Sequence, residues 1–259
     1  MGEVSVFLLA NVCVGGRNYG PDYGTRLLAI PEADAKVFMR RGDARRPRTG
    51  PCTRDGQRCD AALDPVTPTP PCCVQAALAT LRKFAELAEI HDVTWWADYG
   101  TLLGAACGGR FYWNDKDCDI GVLAEDQGKV LRMRSAFTSD GFRFSYAQPR
   151  PGRGQFRGGD RVKIRYSQTH HANTDVFFWH LRGAEYHRTA YIGVDRTKGR
   201  EFPADWLHPM TTLAFEGIEV PVPGQWEKLV RHRYPALGEL HPDPEMNGLP
   251  AARTDGVKR

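Results

Sequence analysis

The sequence predicts an α+β protein: a mixed sheet flanked by helices, with a cysteine-rich loop and a small N-terminal β-α module ahead of it. Three observations carry that expectation. From Val74 to Arg233, segments of helical period are interleaved with short runs of strand character, as in a layered domain with one shared core. Two of those runs, Ile120-Gly121-Val122 and Val176-Phe177-Phe178-Trp179, are fit for strands buried inside a sheet. Both are entered through carboxylates, Asp115, Asp117 and Asp119 before the first and Asp175 before the second.

The elements follow in order. Residues 1–48 read as a separate module. Val4 to Val12 is strand-like, Gly15-Gly16 is a turn, and Arg26 to Ile30 is a second strand. Pro31 then opens a helix from Glu32 to Arg41, which Gly42 closes. The unit is small for a core of its own, so a packing module is expected. Pro47, Pro51, Pro65, Pro68, Pro70 and Pro71 make the next stretch a loop. A helix spans Val74 to Ile90, with Val74, Ala77, Leu78, Leu81, Phe84 and Ala88 at helical spacing. Val93–Ala97 is a strand, Glu125–Ser139 a helix, and Phe142–Tyr146, Arg161–Tyr166 and Asn173–Trp179 are strands. A strand pair around Gly217 and a helix from Gln225 to Arg233 complete a main domain of residues 49–245, and 246–259 reads as a disordered tail.

The chain has 259 residues, 41% hydrophobic and 25% charged, which suits one large globular domain with an appendage. No run approaches the length of a membrane span. The apolar stretch Val4–Val14 is broken by Ser5 and Asn11 and lacks a basic leader, so it reads as strand and not signal peptide; a cytoplasmic location is the expectation. A net charge of +4 permits a polyanionic partner without arguing for one, and no nucleic acid is expected.

The chemistry gathers around Asp98–Val122. Residues i, i+2 and i+4 of a strand share a face, so Asp115, Asp117 and Asp119 would stand together at a strand end. Like charges that close repel, and a hard divalent cation such as Mg²⁺ or Mn²⁺ on oxygen ligands relieves them. A solvated acidic turn is the plain alternative. Upstream, the Gly100-Thr101 turn offers backbone N–H groups to phosphate oxygens. Asp175 is costly at the head of an apolar strand unless something cationic meets it. Residues 150–165 hold six Lys/Arg and one acid; Arg161 and Lys163 there read either as a basic wall for a diphosphate or as a solvated hairpin. His170 and His171 read as exposed loop histidines. Cys52, Cys59, Cys72 and Cys73 crowd a proline-rich segment and read as idle thiols or as a closed zinc site.

The segment Trp95–Ile120 resembles the LicD family, which includes fukutin and fukutin-related protein. The family pattern runs as an acidic residue, G-[GST]-LLGA, R-H-x-x-F, then P-W-D-x-D-x-D-[IL]. Asp98, Gly100, Thr101, Leu102, Leu103, Gly104 and Ala105 match the first half; Phe111, Asp115, Asp117, Asp119 and Ile120 match the second. Cys107 stands where the family often has Arg, Gly108 where it often has His, and Asn114 where it has Trp. Asp175 matches a D-[VIL]-[FW]-x-[FW] segment, and Phe202-Pro203 to Pro209 is similar to an element near the family's end, so the likeness covers roughly residues 50–245.

The resemblance implies a nucleotidyltransferase fold that transfers a phospho-alcohol (phosphocholine, ribitol phosphate or glycerol phosphate) from a CDP-activated donor to a glycan hydroxyl, releasing CMP. It implies Mg²⁺ or Mn²⁺ held by Asp115, Asp117, Asp119 and Asp175, with Asp117, Asp119 and Asp175 catalytic and Asp175 placed to orient or deprotonate the acceptor. It puts Asp98, Gly100 and Thr101 against substrate, and the basic run adds Arg161 and Lys163 to that expectation. In the fukutin-related branch a C-x₆-C pair and a C-C pair before the same helix bind structural Zn²⁺, which implies that role for Cys52, Cys59, Cys72 and Cys73. Two rival readings are a nucleotidyltransferase that moves NMP and a degenerate binding protein; Cys107, Gly108 and Asn114 speak for the latter, the intact carboxylates against it.

Overall fold

The computed structural model describes residues 3–8, 12–14, 17–19, 27–41, 44–45, 54, 69, 71–111, 115, 117–146, 161–170, 172–188 and 201–235. The N-terminal elements are β1 (Glu3–Leu8), β2 (Val12–Val14), β3 (Arg17–Tyr19), β4 (Leu27–Pro31), α1 (Glu32–Arg41) and β5 (Ala44–Arg45). They form a three-stranded antiparallel sheet in the order β4-β1-β5 and a β2-β3 hairpin. The single strand expected over Val4–Val12 is therefore two, because the chain leaves the first pairing after Leu8.

The main sheet is built from β6 (Trp95–Ala97), β7 (Asp117–Leu123), β8 (Arg143–Tyr146), β9 (Arg161–Arg165), β10 (Asn173–Arg182), β11 (Glu185–Arg188) and β12 (Phe202–Pro203). Its central strand is β10. One edge of β10 pairs in parallel with β7; the other pairs antiparallel with β9 over Asn173–Phe177 and with β11 over Trp179–Arg182. β6 flanks β7, β8 flanks β9 and β12 flanks β11, all antiparallel. The sheet is mixed, as the sequence predicts.

Alternation along β10 sorts the two faces. Thr174, Val176 and Phe178 face α2 (Pro71–Ile90), where the Thr80 and Thr174 hydroxyls share a buried hydrogen bond of 2.7 Å. Helices α4 (Gln127–Arg132) and α5 (Arg134–Ser139) stand on the same side, with Phe137 against Phe144. Asp175, Phe177 and Trp179 face the other layer: α3 (Tyr99–Ala106), the hairpin β13 (Thr211–Phe215)–β14 (Ile218–Val222), and α6 (Trp226–Arg233). Trp96, Trp179, Phe202 and Phe215 fill this second layer and Phe84, Phe137 and Phe178 the first, all essentially inaccessible to solvent.

Three boundaries differ from expectation. α2 begins at Pro71 and not Val74, since proline at a first helical position leaves no N–H unpaired; Cys72 and Cys73 thus lie in its first turn. The helix expected over Glu125–Ser139 is broken at Met133, whose N–H reaches back three residues to the Val130 carbonyl at 3.1 Å. β7 starts at Asp117, leaving Asp115 ahead of the strand, where period-two alternation does not operate. Cys52, Cys59, His171, Asn114 and the tail 246–259 lie outside the described residues. Among those residues, no helix is long and apolar enough to cross a membrane.

Candidate active site

Parallel pairing of β7 with β10 sets Asp117 opposite Asn173 and Asp119 opposite Asp175. The carboxylates of Asp117, Asp119 and Asp175 each offer an oxygen, and these lie within 4.8 Å of one another. Asp117 and Asp119 are half-buried; Asp175 is 3% exposed. Burial raises the Asp119 pKa well above the usual carboxylate range, and the charges of Asp117, Asp115 and Asp175 push the same way; the Gly100 N–H opposes them. Burial also raises Asp175, with Asp117 adding to the rise and Lys163 and Arg161 pulling back.

Asp175 divides its two oxygens. Oδ2 accepts from Arg161 Nη1 at 2.9 Å and meets Lys163 Nζ at 3.3 Å. Oδ1 is buried without a hydrogen-bond partner among the described residues. A buried carboxylate oxygen left bare is costly, and this one belongs to a cluster of hard oxygen donors. That donor set fits a divalent cation of the Mg²⁺ or Mn²⁺ type. Lys163 also donates to Asn173 Oδ1 at 3.3 Å, and Asn173 Nδ2 donates to Asp117 Oδ2 at 3.1 Å. Arg161 and Lys163 thus sit at the carboxylates themselves.

The turn opening α3 grips Asp119 at three points. Asp98 donates its N–H to the Asp119 carbonyl at 2.9 Å, the Asp119 N–H donates to Thr101 Oγ1 at 2.7 Å, and the Gly100 N–H donates to Asp119 Oδ2 at 3.2 Å. Thr101 is 1% exposed. The turn expected to bind phosphate is spent, at these groups, on holding a carboxylate. Asp115 lies over the turn: a Cβ on Gly100 would collide with its Oδ2, so a larger residue there requires the Asp115 side chain to move. Asp115 is near enough to raise Asp119 yet stands outside the group of three.

Asp98, expected to touch substrate, is wholly buried. It caps α3 by accepting from the Tyr99 N–H at 3.0 Å, accepts from Trp179 Nε1 at 3.1 Å, and ion-pairs through Oδ1 with Arg233 Nη1. Burial draws the Arg233 pKa down to about 9, which leaves the guanidinium charged at neutral pH. Its Cζ lies 4.2 Å from the Tyr99 ring centroid. Tyr99 holds φ at +35°, a region that costs a bulky residue on the order of 1–3 kcal/mol. Arg188 stacks over Phe177 at 4.0 Å and donates to the Tyr99 hydroxyl at 3.3 Å.

Sequence reasoning missed Asn173, Arg188 and Arg233. Asn173 had a signal, being two residues before Asp175 on the same strand face. Arg233 had none, because a basic residue in a last helical turn ordinarily answers the helix dipole. The loop histidines need correcting: His170 is buried, its Nδ1 accepting from the Ala172 N–H at 3.2 Å. Two departures from the family pattern also find places. Cys107 caps α3 with its side chain in the core, and Gly108 sits at φ +106°, where a histidine would be strained. Cys72 and Cys73 lie in the first turn of α2, while Cys52 and Cys59 fall outside the described residues, so the four-cysteine set is not seen together.

Residues 92–225 match the family model described as LicD/FKTN/FKRP, nucleotidyltransferase domain. The chain is 27% identical over 214 residues to the ribitol 5-phosphate transferase FKRP of Mus musculus, and equally to that of Homo sapiens. Each match covers 76% of this chain and 41% of the relative, so the chain spans about two fifths of the length of these curated transferases.

Proposed function

The chain belongs to the LicD/FKTN/FKRP nucleotidyltransferase-domain family, and from that premise we propose that it transfers a phospho-alcohol from a CDP-activated donor to a glycan hydroxyl, releasing CMP. The observation that carries the proposal is the convergence of Asp117, Asp119 and Asp175 within 4.8 Å, with one buried Asp175 oxygen unpartnered. The named relatives are ribitol 5-phosphate transferases, which favours ribitol phosphate within the phospho-alcohol class.

Asp117, Asp119 and Asp175 would hold the divalent ion, with Asp115 close by. When bound, the ion supplies charge neutralisation for a diphosphate and its leaving group. The chain's own residues do the rest. The α3 turn fixes the carboxylate of Asp119. Lys163 and Arg161 place positive charge beside Asp175 and supply donors for the donor's phosphates. Asp175, its pKa raised by burial, orients the acceptor hydroxyl and takes its proton as that oxygen bonds to phosphorus and the bond to CMP breaks.

The same reading assigns structural Zn²⁺ to Cys52, Cys59, Cys72 and Cys73, as part of a domain over 49–245. Elemental analysis of reduced protein should then find about one zinc per chain.

The deciding experiment incubates the full chain with CDP-ribitol, CDP-choline or CDP-glycerol, Mg²⁺ or Mn²⁺, and a hydroxylated glycan. Free CMP with phospho-alcohol on the glycan supports the proposal. CMP attached to the glycan, with free phospho-alcohol, identifies NMP transfer. Donor binding without either product identifies a binding protein.

A further inference from the structure

The last described helix, α6, ends inside the site's foundation. Arg233, in the final turn of α6, is 2% exposed at its side chain and meets Asp98, which is fully buried. Asp98 is bonded directly to Asp119 through its own N–H, and its carboxylate caps the helix whose next residues, Gly100 and Thr101, supply the other two bonds to Asp119. The link between them, Tyr99, is held at a positive φ. Such a conformation persists only where the surroundings over-determine it. Here they are the Asp98 cap on its N–H, the Arg233 guanidinium against its ring at 4.2 Å, and the Trp179 ring stacked at 6.3 Å.

We propose that Arg233 is a positioning residue for Asp119, acting through Asp98 and the strained first turn of α3. The inference rests on the metal-binding reading of Asp117, Asp119 and Asp175. Arg233 touches none of those carboxylates. It fixes Asp98, which bonds to the strand and caps the turn that supplies the other two bonds to Asp119, as outer-shell partners orient metal ligands. A buried ion pair is a poor stabiliser compared with apolar residues of similar size, so stability alone is a weak reason for this one. Its geometry supplies another: the guanidinium is the only described cation on Asp98, and it arrives from an element with no other part in the site.

The test uses the full chain and Mn²⁺ alone, with affinity measured by calorimetry and the fold by thermal melting. Arg233→Met and the double variant Asp98→Asn/Arg233→Met are compared with wild type. The double variant removes both buried charges, so it should melt at or above the wild-type temperature. Both should bind Mn²⁺ about tenfold or more weakly, the effect usual for loss of an outer-shell partner. A folded double variant with wild-type Mn²⁺ affinity overturns the proposal. So does a double variant that cannot fold, because the pair then belongs to the core. Wild type that binds no Mn²⁺ removes the metal reading itself, and the positioning role with it.

Discussion

Asp175 stands directly across from Asp119 on the neighbouring parallel strand, and the two share a face with Asp117. Three carboxylates fixed by backbone register cannot move apart to escape one another, so their repulsion is built into the sheet.

Neutralising one member should therefore separate activity from stability. Asp119→Asn retains an acceptor for the Gly100 N–H but loses a charge, and turnover should fall more than ~100-fold, beyond the effect of losing an outer-shell partner. With both in chelator, Asp119→Asn should melt higher than wild type, by about 2–4 °C for each ~1 kcal/mol of repulsion relieved. Activity assays at saturating Mn²⁺, with melts in EDTA, measure both; full activity would exclude Asp119 as an essential ligand.

A pH dependence follows with a definite sign. Burial raises the folded-state pKa values of Asp119 and Asp175 above the ordinary aspartate range. The folded state thus holds these protons more tightly, and stability present below the unfolded value is lost as pH rises through the raised ones. Melts in EDTA should decline across that window and flatten in Asp119→Asn. Added Mn²⁺ requires the deprotonated groups, so its stabilising effect should grow with pH.

Gly100→Ala should test the fit between the α3 turn and Asp115. The added methyl collides with the Asp115 carboxylate, and overpacking of this kind costs about 1–3 kcal/mol. Combining it with Asp115→Ala should restore much of the loss, so a double-mutant cycle on melting temperature should show coupling. Additive effects would mean that the turn relaxes elsewhere.

Arg161→Ala should weaken donor use more than fold. The Arg161 side chain is 45% exposed, and Lys163 still meets the same oxygen of the buried Asp175 once it is removed, so the cost to stability should stay within about 1 kcal/mol, the upper end for partly exposed ion pairs. The expected result is a raised KM for the CDP donor with an almost unchanged melt; an unchanged KM would restrict Arg161 to neutralising Asp175.

His170 supplies an acid limb of its own. Burial lowers its pKa below the ordinary 6.5, so the unfolded chain binds the proton better. Stability should fall as pH drops below about 6.5 toward the lowered value. His170→Asn, which keeps an acceptor for the Ala172 N–H without titrating in this range, should reduce that slope.

Much of this site was legible because its parts are local. The spacing of Asp117 and Asp119 names a strand face, and Asp175 announces itself as a charge at the head of an apolar run. The strand start was less legible: nothing in D-x-D-x-D says that the ladder enters the sheet only at its second member. The Gly100-Thr101 turn was read for its free N–H groups, but which group takes them depends on Asp119 arriving from a later strand. Asp98 and Arg233 lie on different elements far apart in the chain, and no periodicity encodes a meeting of that kind. The same limit hid the burial of His170, which reads as loop by sequence and is core by packing.

The parallel pair β7–β10 has a kinetic corollary. Asn173 bonds to Asp117 across 56 residues of chain, and parallel strands with a long crossover pair only after a large loop has closed. No early hairpin contains the three carboxylates, so the site does not exist until the sheet is complete. A cation that recognises only the finished arrangement stabilises the native state without helping the chain reach it. Refolding rates should therefore be the same with and without Mn²⁺, while unfolding slows in its presence.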